Sequence, residues 1–118
     1  LVCGTLLGLG GIGLPLMEPV IVASVLVLGL LLLMKMRLSM VAGMSVVGFF
    51  ALFHGYAHGT ELPTAVSAFS YLLGLSLGSL LLHLTGVAVG YHLKPRAWLL
   101  RVGGAFVAGT GFWLLVGL

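Results

Sequence analysis

The sequence predicts an all-α fold, a polytopic membrane helix bundle with four full transmembrane helices and a partial one at the N-terminus. Of its 118 residues, 61% are hydrophobic, and only five are basic and two acidic. The mean hydropathy is +1.31, more than the surface of a soluble domain of this length can absorb. The apolar runs are long and continuous rather than alternating, which argues against strands.

The first two segments differ in length. Residues 1–14 would form about 20 Å of helix, too short to cross a membrane alone, so we expect the second half of a membrane helix. Residues 18–34 form the first full span, which stops before Lys35. Residues 38–61 form the next span, with Ser39 as its predicted N-cap.

The last two spans are predicted from Pro63-Thr64 and from Ala97. Pro63 suits the first turn of a helix, and the apolar run after it continues to His92. That run must tilt, break or project beyond the bilayer because it is nearly 30 residues long. Short connections make neighbouring helices antiparallel. We interpret residues 1–118 as a single transmembrane helical domain, the C-terminal part of a longer protein.

Glycine pairs of the small-xxx-small type recur along the chain, which contains 19 glycines. Such pairs let membrane helices approach closely, so that van der Waals packing holds them together. We expect packing within one bundle, and dedicated dimerisation faces are the alternative. The pairs are Gly4/Gly8, Gly55/Gly59, Gly74/Gly78 and Gly86/Gly90.

Charges predict the orientation of the bundle. The turns around residues 35–37 and 94–96 carry basic side chains and lie on the same side of an alternating bundle, which the positive-inside rule places in the cytoplasm. Glu18 and Glu61 then lie toward the outer face. The basic residues are too few and too dispersed to bind nucleic acid, and the single cysteine excludes an internal disulfide. No nucleophile or phosphate-binding motif is present, so we predict no enzyme.

The most informative stretch runs from Phe53 to Pro63 and contains His54, His58 and Glu61. On a helix these three side chains fall within about 60° of one another. Ionisable groups inside a membrane are costly and mark functional sites. Imidazole and carboxylate are ordinary ligands of nickel, cobalt, zinc, copper or iron(II), so the face predicts a metal site. The alternative is that the histidines only form hydrogen bonds that pin helices together.

Glu18 and His83 are secondary candidates. Glu18 lies at the outer level, but an acid capping a helix with Pro19 at its first position is also explained by the helix dipole. His83 lies about 30 Å of helix from Pro63, too far from Glu61 for one ligand shell. It is either a second station on a path or a structural hydrogen-bonding group. His92, beside the basic turn, is expected to be merely solvated.

Three segments together resemble the HupE/UreJ family of bacterial membrane proteins. They are Phe-Ala-Leu-Phe-His-Gly-Tyr-Ala-His-Gly-Thr-Glu-Leu-Pro at 50–63, Leu-Pro-Leu-Met-Glu-Pro at 14–19 and Leu-Leu-His-Leu-Thr-Gly at 81–86. The resemblance implies a secondary nickel or cobalt permease of the bacterial inner membrane, in which His54, His58 and Glu61 handle the metal. Ni²⁺ or Co²⁺ would be the cargo, with no permanent cofactor. Because imidazole must be deprotonated to bind, capture should weaken below about pH 6.5.

The resemblance also shows a departure. The family carries an N-terminal helix with an HPxxGxDH-like motif after a signal peptide, and this sequence resembles the family only from the second helix onward. Half of the expected metal site is then absent from these residues. The alternative function is therefore a non-transporting accessory or scaffold subunit of a larger membrane complex. Membrane lipid, a transition-metal ion and a homo-oligomer or larger complex are the expected partners.

Overall fold

The computed structural model describes residues 1–63 and 65–118. Their regular secondary structure consists of helices joined by short connections, with no strand. The prediction of an all-α fold is confirmed. A short 3-10 turn, Lys94–Arg96, separates the last two of five α-helices. The helices are α1 (Val2–Leu9), α2 (Met17–Leu33), α3 (Met40–Thr60), α4 (Ala68–Leu93) and α5 (Ala97–Val116).

Length and composition suit the longer helices to a membrane. Both α3 and the helical stretch Ala68–Val116 are long and apolar enough to cross one, whereas α2 is apolar but has only 17 residues. The stretch Ala68–Val116 has 49 residues and would extend for about 73 Å if straight. The longest dimension of the molecule is 45 Å, so the chain must turn back within this stretch. It does so at the 3-10 turn, where the Arg96 backbone (φ −107°, ψ 53°) leaves the helical region.

The cap predicted for α3 is confirmed, but the cap predicted for α2 is wrong. The Ser39 hydroxyl accepts a hydrogen bond from the backbone N–H of Ala42 at 3.2 Å. Helix α2 instead begins one residue before Glu18, and its N-cap is Leu16 in a left-handed conformation with φ 60°. Glu18 therefore lies inside the first turn, where its charge favours the positive end of the helix dipole without capping an N–H group.

Helix α4 begins later than predicted. Its N-cap is Ser67, whose hydroxyl accepts from the backbone N–H of Ser70 at 3.2 Å, so Pro63 lies in the connection and not in the first turn. Thr64, the other residue of the predicted start, lies outside the described residues. A serine side chain that satisfies a free N–H group of the first turn specifies the start more directly than a proline does.

Helices α1 and α3 pack with their backbones in close contact. Gly4 and Gly8 lie against the backbone of α3, Gly59 lies against α1, and Gly55 lies against Leu1 just before α1, as the small-xxx-small pattern predicts. A Cβ atom on Gly8 would lie 2.9 Å from the Cα atom of Gly59, closer than real Cβ contacts allow. Thr5 is completely buried in this seam, and its hydroxyl donates to the Leu1 carbonyl at 3.2 Å.

A second seam joins α2 to α5. A Cβ atom on Gly29 would lie 2.8 Å from the Cα atom of Ala108, and one on Gly104 would lie 2.9 Å from the Cα atom of Leu33. Both glycines and Ala108 are buried, in a protein whose larger apolar side chains are mostly exposed. These two seams make up most of the packing between helices.

Helix α4 contacts the other helices least and has no buried residue. A Cβ atom on any of its four glycines would meet nothing within 4 Å, so the prediction that these glycines pack inside the bundle is wrong. The reason is that α4 stands apart from the two tight seams and leaves space on several sides. The four positions are Gly74, Gly78, Gly86 and Gly90.

Adjacent glycines on α5 offer a matched test of the second seam. Gly104→Ala should lower the free energy of unfolding by about 1–3 kcal/mol, because the new methyl group overlaps the α2 backbone. Gly103→Ala adds the same methyl group in open space and should change stability by at most about 1 kcal/mol. Thermal unfolding in detergent micelles measures both. Equal effects of the two substitutions would contradict the close approach of α2 and α5.

Candidate functional site

A cavity of about 740 Å³ lies between α2, α3 and α4. Most of its lining is apolar, but three of the four histidines of the chain line it. His54 and His58 come from α3, and His83 comes from α4. The hydroxyl-bearing residues Ser24 and Ser79 lie on the same walls. The cavity therefore joins histidines that are 25 or more residues apart in sequence.

The two histidines of α3 alternate with the glycines of the α1 seam. His54 and His58 are one turn apart, and their ring centroids lie 4.9 Å from each other with the rings at 80°. Gly55 and Gly59 each follow a histidine by one residue, about 100° further around the helix. Because the glycines are buried against α1, the histidines are held on the side of α3 that lines the cavity.

Tyr56 fixes the same helix from another direction. Its side chain is only 7% exposed, and its hydroxyl accepts a hydrogen bond from the backbone N–H of Leu14 at 3.1 Å. Leu14 lies in the connection between α1 and α2. Tyr56 therefore restrains the rotation of α3 about its axis. No local sequence pattern predicts this contact, because it joins residues 42 positions apart.

His58 also contacts α4. Its Nδ1 atom lies 3.3 Å from the hydroxyl of Tyr71. Among the described residues, this hydrogen bond and that of Tyr56 are the two in which a side chain links different parts of the fold. Tyr71 was not predicted as a site residue, since its distance from His58 depends on how the chain turns between α3 and α4.

The hydrogen bond of His83 determines its tautomer. Its Nδ1 atom lies 2.7 Å from the backbone carbonyl oxygen of Ser79. A carbonyl oxygen only accepts hydrogen bonds, so Nδ1 carries the proton, and in a neutral ring Nε2 keeps the lone pair. His83 lies about 22 Å along α4 from its first residue, Ala68, and the lining of the cavity brings it together with the α3 histidines. His83 thus shares one cavity with the α3 histidines.

The two carboxylates lie elsewhere. Glu61 is exposed at the end of α3 and does not line the cavity. Glu18 lines a separate cavity of about 440 Å³, beside Trp113 and the last residues of α5. No three His, Cys, Asp or Glu side chains within residues 1–63 and 65–118 are grouped closely enough to hold a metal ion. Ligand roles for Glu61 and Glu18 stay predictions.

The cavity presents imidazole rings in a mostly apolar surrounding. Borderline divalent ions such as Ni²⁺ and Co²⁺ accept imidazole nitrogen readily. Two or three imidazoles leave coordination positions for water or for a further ligand. No acidic side chain of the described residues lines the cavity to neutralise a dication.

The apolar helices and the histidine-lined cavity define a helical protein suited to the membrane. A family model described as HupE / UreJ protein matches residues 1–114, so the chain belongs to the HupE/UreJ family. Protein HupE of Rhizobium leguminosarum bv. viciae is 39% identical over 116 residues, which cover 97% of this chain and 61% of that relative. The chain thus spans about three fifths of the length of the curated relative it matches. No solved structure matches the chain.

Proposed function

We propose that this protein is a secondary transporter that carries a divalent transition metal, Ni²⁺ or Co²⁺, into the cell, and that it is not an enzyme. The observation that supports this most is the single cavity lined by His54, His58 and His83 from two different helices. Membership in the HupE/UreJ family and the apolar, membrane-length helices support the same proposal.

The three cavity histidines lie at different distances from the ends of their helices. His58 lies about 3 Å from the C-terminal end of α3, His54 about 9 Å from that end, and His83 about 22 Å from the start of α4. A short connection joins the end of α3 to the start of α4, so both lie at the same end of the bundle. All three distances are therefore depths measured from that end. An ion would exchange between the α3 pair and the His83 ring as it moves inward.

The direction of transport rests on the charges at the helix ends. Glu61 lies at the entrance end of α3, where an exposed carboxylate attracts a dication from water. Glu18 is proposed as a weaker contribution at the same level. Basic side chains at residues 35–37 and 94–96 support a cytoplasmic position for the opposite end, in a bacterial inner membrane.

A scaffold role in a larger membrane complex is the second candidate, and the exposure of α4 favours it. This helix has no buried residue, and Gly86 and Gly90, which do not line the cavity, face open space. A partner helix could pack there. Recovery of the protein in a fixed-stoichiometry complex, with no metal uptake by cells, would favour the scaffold over the transporter.

His54→Ala and His58→Ala should each abolish nickel or cobalt accumulation in cells that express the complete protein, because each removes a ring from the cavity. Accumulation of radioactive ⁶³Ni²⁺ or ⁵⁷Co²⁺ measures this. His92→Ala is the matched control, since His92 is exposed at the end of α4 and does not line the cavity. Normal accumulation in both α3 variants would refute the metal route.

A bulky side chain in the cavity should block the route without unfolding the protein. Gly78 lines the cavity, and a Cβ atom there meets no neighbour within 4 Å. Gly78→Leu should therefore lower the rate of uptake at least tenfold while the melting temperature changes little. Gly86→Leu on the same helix adds the same group outside the cavity lining and should leave uptake near normal. Equal uptake by the two variants would show that the ion does not use this cavity.

A further inference from the structure

Tyr71 lies where it can fix the ligand nitrogen of His58. We propose that Tyr71 is a positioning residue of the metal route: its hydroxyl accepts the Nδ1–H of His58, so that the Nε2 lone pair of His58 is the one offered to the ion. This inference rests on the proposed function, since it concerns how the same histidine pair binds. Nothing in the sequence pattern around Tyr71 indicates such a role.

The contact between Tyr71 and His58 has the geometry of a hydrogen bond. The Tyr71 hydroxyl and the His58 Nδ1 atom are 3.3 Å apart, and both residues are half-buried. A neutral imidazole has one N–H group and one lone pair, so a hydrogen bond at one nitrogen decides what the other offers. When the ion takes Nε2, the proton must reside on Nδ1, where it needs an acceptor. Histidines that bind metals almost always donate their other N–H group in this way.

His83 also forms a hydrogen bond through its Nδ1 atom, with a partner of its own. Its Nδ1–H donates to the Ser79 carbonyl at 2.7 Å, which leaves Nε2 free. The two cavity histidines with a hydrogen-bonding partner therefore have the same nitrogen engaged, one by a hydroxyl and one by a carbonyl. A common tautomer lets the ion pass from one Nε2 atom to the next without a proton moving between ring nitrogens.

The hydrogen bond between Tyr71 and His58 also restrains His54. No hydrogen bond of the described residues holds its ring, but the ring stands edge-on to that of His58 with centroids 4.9 Å apart. Restraining His58 therefore restricts the space in which His54 rotates. Tyr71 also joins α4 to α3, so the same hydroxyl holds the two histidine-bearing helices at the cavity.

The three tyrosines of the chain allow a matched experiment. Each is changed to Phe in the complete protein, purified in detergent, and Co²⁺ affinity is measured by calorimetric titration beside thermal unfolding. Tyr71→Phe should weaken Co²⁺ binding about 10- to 100-fold, while its melting temperature falls no further than that of Tyr56→Phe, since each variant loses one hydrogen bond. Tyr56→Phe should lower the melting temperature, because the Leu14 N–H group loses its acceptor, and should weaken Co²⁺ binding less than Tyr71→Phe does, because the glycine contacts with α1 still hold α3. Tyr91→Phe, whose side chain is 75% exposed, should change neither.

A spectroscopic measurement separates positioning from a general structural role. In the Co²⁺-loaded protein, the ring N–H protons of bound histidines give shifted, exchangeable proton NMR signals. Tyr71→Phe should make one of these signals exchange faster with water, and in a His58→Ala background it should cause no further loss of affinity. Unchanged affinity and exchange in Tyr71→Phe would overturn the role of Tyr71 alone, and so would a loss of affinity matched by a loss of stability. Absence of Co²⁺ binding to the unaltered protein would overturn the proposed function itself, and this inference with it.

Discussion

The close backbone contact between α1 and α3 is the interaction on which the site depends. Gly55 and Gly59 allow it, and they alternate with His54 and His58 in one short stretch. A side chain on the glycine face would push the helices apart, and a rotation of α3 would take the histidines away from the cavity. The same few residues therefore specify how α3 packs and which of its faces lines the cavity. Tyr56 strengthens this restraint through its bond to Leu14.

Helix α4 is held in a different way. It has no buried residue, yet it supplies His83 and one wall of the cavity. Among the described residues, the side-chain hydrogen bond that links α4 to another helix joins the Tyr71 hydroxyl to the His58 Nδ1 atom. Segments with few buried contacts open at the lowest free-energy cost. Local opening of the bundle is therefore expected at α4, while the α1–α3 and α2–α5 seams stay closed.

Local signals in the sequence predicted local features well. The continuous apolar runs gave the helical fold, Ser39 gave the cap of α3, and the glycine pairs Gly4/Gly8 and Gly55/Gly59 gave the first seam. The start of α4 was misplaced because proline is compatible with several positions near a helix, whereas Ser67 supplies the actual cap. The glycine pairs of α4 have the same spacing as the pair of α1, so the sequence does not distinguish them. Only the tertiary structure shows that a Cβ atom on the α4 glycines would meet no neighbour within 4 Å. Tyr71 and the position of His83 were missed for the same reason, since both depend on the turn between α3 and α4.

The central claim is that the ion is bound by imidazole nitrogen in the cavity between α3 and α4. Nickel K-edge X-ray absorption of the complete, nickel-loaded protein in detergent measures this most directly, with His58→Ala as the comparison. We expect a nitrogen and oxygen shell with the multiple-scattering signature of at least two imidazoles, reduced by one in the variant. A bound nickel whose shell contains no imidazole, or one that is identical in the two proteins, would contradict it.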